Sequence, residues 1–175
     1  MKPWAKGLII AAVHVGLVVS LGAKMLYDRA MRPRVWTLAV PYDPNLPIRG
    51  RYVSLQLVVD PKGIEEPNPE RGVQSQQSVI LSVHNNKLVA EATPQGRSYN
   101  PSDLRVEFIK RQDKKLAVLK QRVAFFITEH ILDPSLRPPG EELWVEVTIP
   151  KKGPPRPIRM GVQKTDGAIV PLELE

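Results

Sequence analysis

The chain has 175 residues, 42% of them hydrophobic: enough for one domain with a sizeable core plus a membrane segment, and too few for two full domains. It contains no cysteine, which excludes disulfides, thiolate nucleophiles and Cys-ligated zinc. The net charge of +7 gathers at one end: residues 1–34 hold six Lys/Arg against one acid, which leaves 19 of the 25 basic residues facing 17 of the 18 acids, so the body of the chain lacks the basic footprint of a nucleic-acid binder.

Residues 7–23 carry no formal charge, and with Met25 and Leu26 the apolar stretch 7–26 reaches about 30 Å as a helix, the thickness of a bilayer's hydrocarbon core. Lys24 sits near its far end, where its stem can lift the ammonium to the interface, and Trp4 and Tyr27 mark the two margins. We therefore expect residues 1–30 to form a single-pass anchor with flanks, in contact with lipid through 7–26. A cleaved signal peptide is the competing reading, with Ser20-Leu21-Gly22 as a small-x-small site. The apolar run is long for such a peptide. His14, in mid-segment, reads as a neutral side chain tolerated in the helix or facing a partner helix. Charge alone leaves the orientation open. Four basic residues follow the helix and two precede it, yet long following domains translocate largely regardless of charge.

From residue 35 to 175 the pattern is that of strands. Residues 34–40 open it. In 51–59, Val53, Leu55, Leu57 and Val59 share one face, while Tyr52, Ser54 and Gln56 share the other. Residues 77–83 and 87–92 flank His84-Asn85-Asn86, a hairpin signal because Asn tolerates left-handed backbone. Further strands are expected at 104–109, 117–128, 143–149, 158–162 and 168–174, with Asp166-Gly167 turning between the last two. Residues 60–76, 94–103, 133–142 and 150–157 read as Pro/Gly-punctuated loops, with room for one helical turn in 134–143. The 18 prolines, all but Pro3 at or after position 33, argue against long helices beyond the first segment. The expected fold is mainly β, an antiparallel sandwich or barrel of about eight strands after one N-terminal transmembrane helix.

At Asp43-Pro44 through Arg49-Gly50-Arg51-Tyr52-Val53-Ser54-Leu55-Gln56-Leu57 the chain resembles the bacterial GDYXXLXY family. Gly50, Tyr52 and Leu55 match the signature's Gly, first Tyr and Leu. Arg51 stands where the family has Asp, and Leu57 where it has the last Tyr. Phe125-Phe126-Ile127-Thr128-Glu129 is similar to the family's Tyr-Phe-Val-Pro-Glu. The resemblance implies an anchored, periplasmic protein of the cytoplasmic membrane, with a multi-spanning membrane protein as partner. It assigns no activity, and Arg51 reverses the charge at the family's Asp.

Candidate sites are few. Gly50 and Pro47 suit a turn into the strand. Tyr52 is either a cross-strand packing residue or an aromatic contact beside Ser54 and Gln56. Glu129 and His130 are adjacent, so on a strand they point to opposite faces. The three histidines lack metal-ligand spacing. A Ser-Lys hydrolase would draw on Ser54, Ser78, Ser82 or Ser98, with Lys87 or Lys110 as base, and none of these lies in a motif. No catalytic residue, cofactor or metal is expected. The expectation is a non-enzymatic interaction domain contacting a membrane partner through Arg49, Gly50, Arg51, Tyr52, Ser54, Gln56, Phe126 and Glu129. The alternatives are a membrane-tethered hydrolase and a secreted β domain.

Overall fold

The computed structural model describes residues 3–42, 52–66, 77–93, 103–111, 114–128, 131, 133–151, 153–164 and 167–174. The chain divides into two compact units, residues 1–32 and 33–175. The first is one helix, α1 (Pro3–Met31). Within it Trp4–Tyr27, 24 residues, is long and apolar enough to cross a membrane, and none of it is buried by the protein. Two polar side chains bond inside the helix: His14 Nδ1 donates to the Ile10 carbonyl at 2.8 Å and Ser20 Oγ to the Leu17 carbonyl at 2.9 Å. Such back-bonding satisfies polar atoms that lipid would leave unpaired.

The second unit is the expected β architecture, in two sheets. Along the chain its strands are β1 (Arg34–Pro41), β2 (Tyr52–Leu57), β3 (Asp60–Lys62), β4 (Gln77–His84), β5 (Lys87–Ala92), β6 (Leu104–Arg111), β7 (Lys114–Leu119), β8 (Val123–Phe126), β9 (Glu141–Thr148), β10 (Arg156–Lys164) and β11 (Val170–Pro171). One sheet has the order β11-β10-β9-β1-β2-β8, the other β3-β5-β4-β6-β7. Val58 and Val59 stitch the two together: the Val58 N–H donates to Leu38 and the Val59 N–H to Ala117, both at 2.9 Å.

Period-2 alternation builds the core. Val35, Thr37 and Ala39 of β1 point inward beside Val53, Leu55 and Leu57 of β2 and Leu143, Val145 and Val147 of β9. Val79, Leu88, Val106 and Leu119 of the second sheet meet them in one cluster with Met160. Inward-facing Thr37 needs a partner for its hydroxyl, and donates to the Val58 carbonyl.

Four expectations need correction. The expected strand 117–128 is two strands in different sheets, β7 and β8. Gln121 makes the break: its Oε1 accepts from the Arg105 N–H at 3.0 Å and its Nε2 donates to the Asp103 carbonyl at 2.8 Å, so the chain leaves one sheet clamped and enters the other. The loop 60–76 begins with β3, which pairs parallel with β5 and is exposed throughout. The expected strand 168–174 contributes only β11. In 134–143 there is a turn at Pro134–Ser135, in which the Leu136 N–H donates to Asp133 at 3.2 Å, and β9 starts at Glu141.

The Asn turn is as expected: Asn85 and Asn86 adopt φ of 48° and 59° between β4 and β5. Of the expected Asp166-Gly167 turn, Asp166 lies outside the described residues; the Gly167 N–H donates to the Lys164 carbonyl at 2.8 Å, and β10 meets β11 at Val162 and Val170. The register shift between Pro157 and Arg159 shows how β10 accommodates a proline.

Candidate functional site

β8 is an edge strand whose sequence, Val-Ala-Phe-Phe, alternates across the sheet. Val123 and Phe125 turn inward to the core, and Ala124 and Phe126 turn out. It pairs antiparallel with β2, setting Tyr52 opposite Phe126 and Ser54 opposite Ala124. The two rings meet at 6.3 Å between centroids, tilted by 59°, a favoured aromatic geometry. Phe126 nevertheless remains 76% exposed. Tyr42, just past the end of β1, joins the face through its N–H, which donates to the Ser54 carbonyl at 2.9 Å. The Arg122 guanidinium lies 3.3 Å from the centroid of the Tyr42 ring.

Two sequence-derived candidates 74 positions apart, Tyr52 and Phe126, are thus brought into one outward face, with Ser54 beside them. Tyr52 is the cross-strand packing residue, and it borders the exposed ring. Arg49, Gly50, Arg51 and Glu129 lie outside the described residues, as do His130 and Ser98. Tyr42 and Arg122 were not anticipated. Their only signal is position, one just after a strand and the other in the polar break before β8.

Gln56 does not belong to this face. It is 5% exposed, and its Nε2 donates to Glu107 Oε1 of β6 at 2.8 Å. Strand parity put it on the correct side, but at that end of β2 the second sheet covers that side. Its role is to satisfy a carboxylate, which makes it structural.

Among the described residues, Ser54, Ser78 and Ser82 give no nucleophile pair: the register places Ala124, Arg105 and Val89 opposite them, respectively. Ser82 Oγ is buried with no hydrogen-bond partner among the described residues. His84 is exposed at the Asn turn and lies opposite Lys87. Among the described residues no group of three or more His, Asp or Glu side chains is placed to hold a metal ion.

A second feature lies between the sheets, at the end of β1 away from Arg34. There the end of β1, the start of β9, the end of β10, the β6–β7 hairpin and residues 135–140 enclose a cleft of about 600 Å³. Leu38, Pro41 and Leu116 supply apolar wall, and Arg111, Lys114, Arg137 and Lys164 bring four cations to it against Glu141 and Glu142. None of Tyr42, Tyr52, Arg122 and Phe126 lines it.

An exposed Phe126 ring packed on half-buried Tyr52, with the Arg122 guanidinium stacked on Tyr42 of the same sheet face, has the composition of a protein contact surface, where aromatic residues and arginine are enriched. Among the described residues it carries no acid, base or nucleophile arrangement. Compared with protein-family models, with curated proteins and with solved structures, the chain matches none.

Proposed function

We propose that this chain is a membrane-anchored, non-enzymatic interaction domain, and that the face formed by Tyr42, Tyr52, Arg122 and Phe126 seats on a multi-spanning protein of the same membrane. The observation that carries the proposal is Phe126, left 76% exposed beside Tyr52 on an edge strand. A large apolar side chain alone at a surface is ordinary, but one packed on Tyr52, on the same sheet face as Tyr42 and its stacked Arg122, forms a patch. Two residues separate Met31, where α1 ends, from Arg34, where β1 begins. With α1 in the bilayer, so short a tether holds the domain at high effective concentration towards anything embedded there. The likeness of residues 43–57 to the GDYXXLXY signature supports the same reading, with α1 in the cytoplasmic membrane and residues 35–175 on its outer side. Arg122 calls for an acidic group at the rim of the partner's surface.

The test is affinity isolation of the tagged full chain from native membranes in mild detergent, with Phe126→Ser alongside. A membrane protein recovered with the parent and lost with the variant supports the reading. Recovery of both forms alone, or of the same partner with both, contradicts it. A reporter fused after Glu175 should read out on the outer side, and a cytoplasmic readout would reverse the orientation.

A further inference from the structure

The β6–β7 hairpin sets like charges against each other. Lys110 lies opposite Lys115, and Arg111 opposite Lys114. Directly opposed like charges destabilise a hairpin. The first pair is relieved: Lys115 Nζ contacts Glu66 Oε2 at 2.6 Å, and Lys110 has an interaction of its own. The second is not. Arg111 and Lys114 are exposed, line the cleft between the sheets, and form no ion pair with a described residue.

Across the cleft Arg137 is held in place. Its Nε donates to the Pro134 carbonyl at 2.8 Å and its Nη1 lies 3.7 Å from Glu141 Oε2. Lys164 Nζ shares the same carboxylate, at 3.6 Å from Oε1. One acid thus serves two cations, and with Glu142 the described lining still carries a surplus of two positive charges. Pro41, Pro138 and Pro139 stiffen the rim, so little ordering is required of it on binding. The volume is in the range of small-molecule sites.

We propose that this cleft binds an organic anion, its carboxylate or phosphate held between Arg111 and Lys114 and its apolar body lying against Leu38, Leu116 and Pro41. The anion relieves the repulsion across the hairpin, and the Arg137–Glu141–Lys164 group keeps the opposite wall in place. The site stands independently of the docking face, with which it shares no residue.

The experiment uses the full chain in nanodiscs of zwitterionic lipid, with leucine methyls isotopically labelled for NMR. Benzoate and phenyl phosphate are the probes, one for each anionic group, and inorganic phosphate is the comparator. Saturable shifts confined to Leu38, Leu116 and their neighbours are expected with at least one probe. Affinity should weaken at least tenfold in the Arg111→Gln/Lys114→Gln double variant, and it should fall as salt is raised. Both replaced side chains are exposed and mutually repulsive, so the variant keeps the parent's methyl dispersion. Absence of saturable shifts with both probes overturns the proposal, and so does equal affinity in the double variant. Inorganic phosphate binding as tightly as phenyl phosphate also overturns it, because the apolar wall would then contribute nothing.

Discussion

Replacing Phe126 by alanine separates what the ring does for the fold from what it does for a partner. A phenylalanine side chain presents about 200 Å². With 76% of Phe126 exposed, roughly 50 Å² of that is covered in the free domain and about 150 Å² is open. At about 25 cal/mol per Å², folding gains only about 1 kcal/mol from this ring, and covering the remainder on docking yields about 3–4 kcal/mol. Phe126→Ala should therefore lower the unfolding midpoint of the domain by a few degrees at most, while weakening the complex by two orders of magnitude or more. Thermal unfolding of the full chain in detergent gives the first quantity, and titration of the isolated partner in nanodiscs the second. A loss of fold stability near 3 kcal/mol with an unchanged complex would refute the reasoning, because the ring would then be a core residue.

Three further outcomes follow from the packing. Gly161→Ala should destabilise the domain by about 1–3 kcal/mol in denaturant titration, since the new Cβ would meet Ile169 Cγ2 at 2.8 Å and the Trp36 ring at 3.0 Å. Gln56→Ala should cost roughly 1–3 kcal/mol by removing the donor to Glu107, and Glu107→Gln combined with it should recover part of that loss. Lys114→Glu, which turns the Arg111 pairing into an attraction, should raise stability by about 0.2–1 kcal/mol at low salt, and the gain should shrink at 1 M salt.

Local pattern revealed much of this fold where one face of a strand meets the core. Val35-Thr37-Ala39 and Leu143-Val145-Val147 alternate because their other faces do not enter that core, and Asn85-Asn86 adopt the positive φ that a two-residue hairpin demands. What escaped was decided by distant neighbours. Asp60-Pro61-Lys62 has no alternation to read, and it is a strand only because β5 offers a parallel edge. In 117–128 the polar break Lys120-Gln121-Arg122 is too short to announce a change of sheet, and only the clamp of Gln121 on Asp103 and Arg105 shows that the chain crosses there.

The same division holds for the candidate site. Sequence singled out Tyr52 and Phe126 separately, but nothing local says that they face each other. Parity gave Gln56 a side of its strand without saying what covers that side. The cleft was illegible, because Arg111, Lys114, Arg137 and Lys164 come from three separate stretches and meet only where the sandwich ends.

The most direct test of the account is site-specific photocrosslinking of the full chain in native membranes, with a photoreactive residue at position 126 or, as comparison, at position 80. Ile80 is 52% exposed but lies in the other sheet, on β4. The account predicts a discrete crosslink to one membrane protein from position 126 and none from position 80. Identical patterns from the two positions, or no adduct from either, would contradict it.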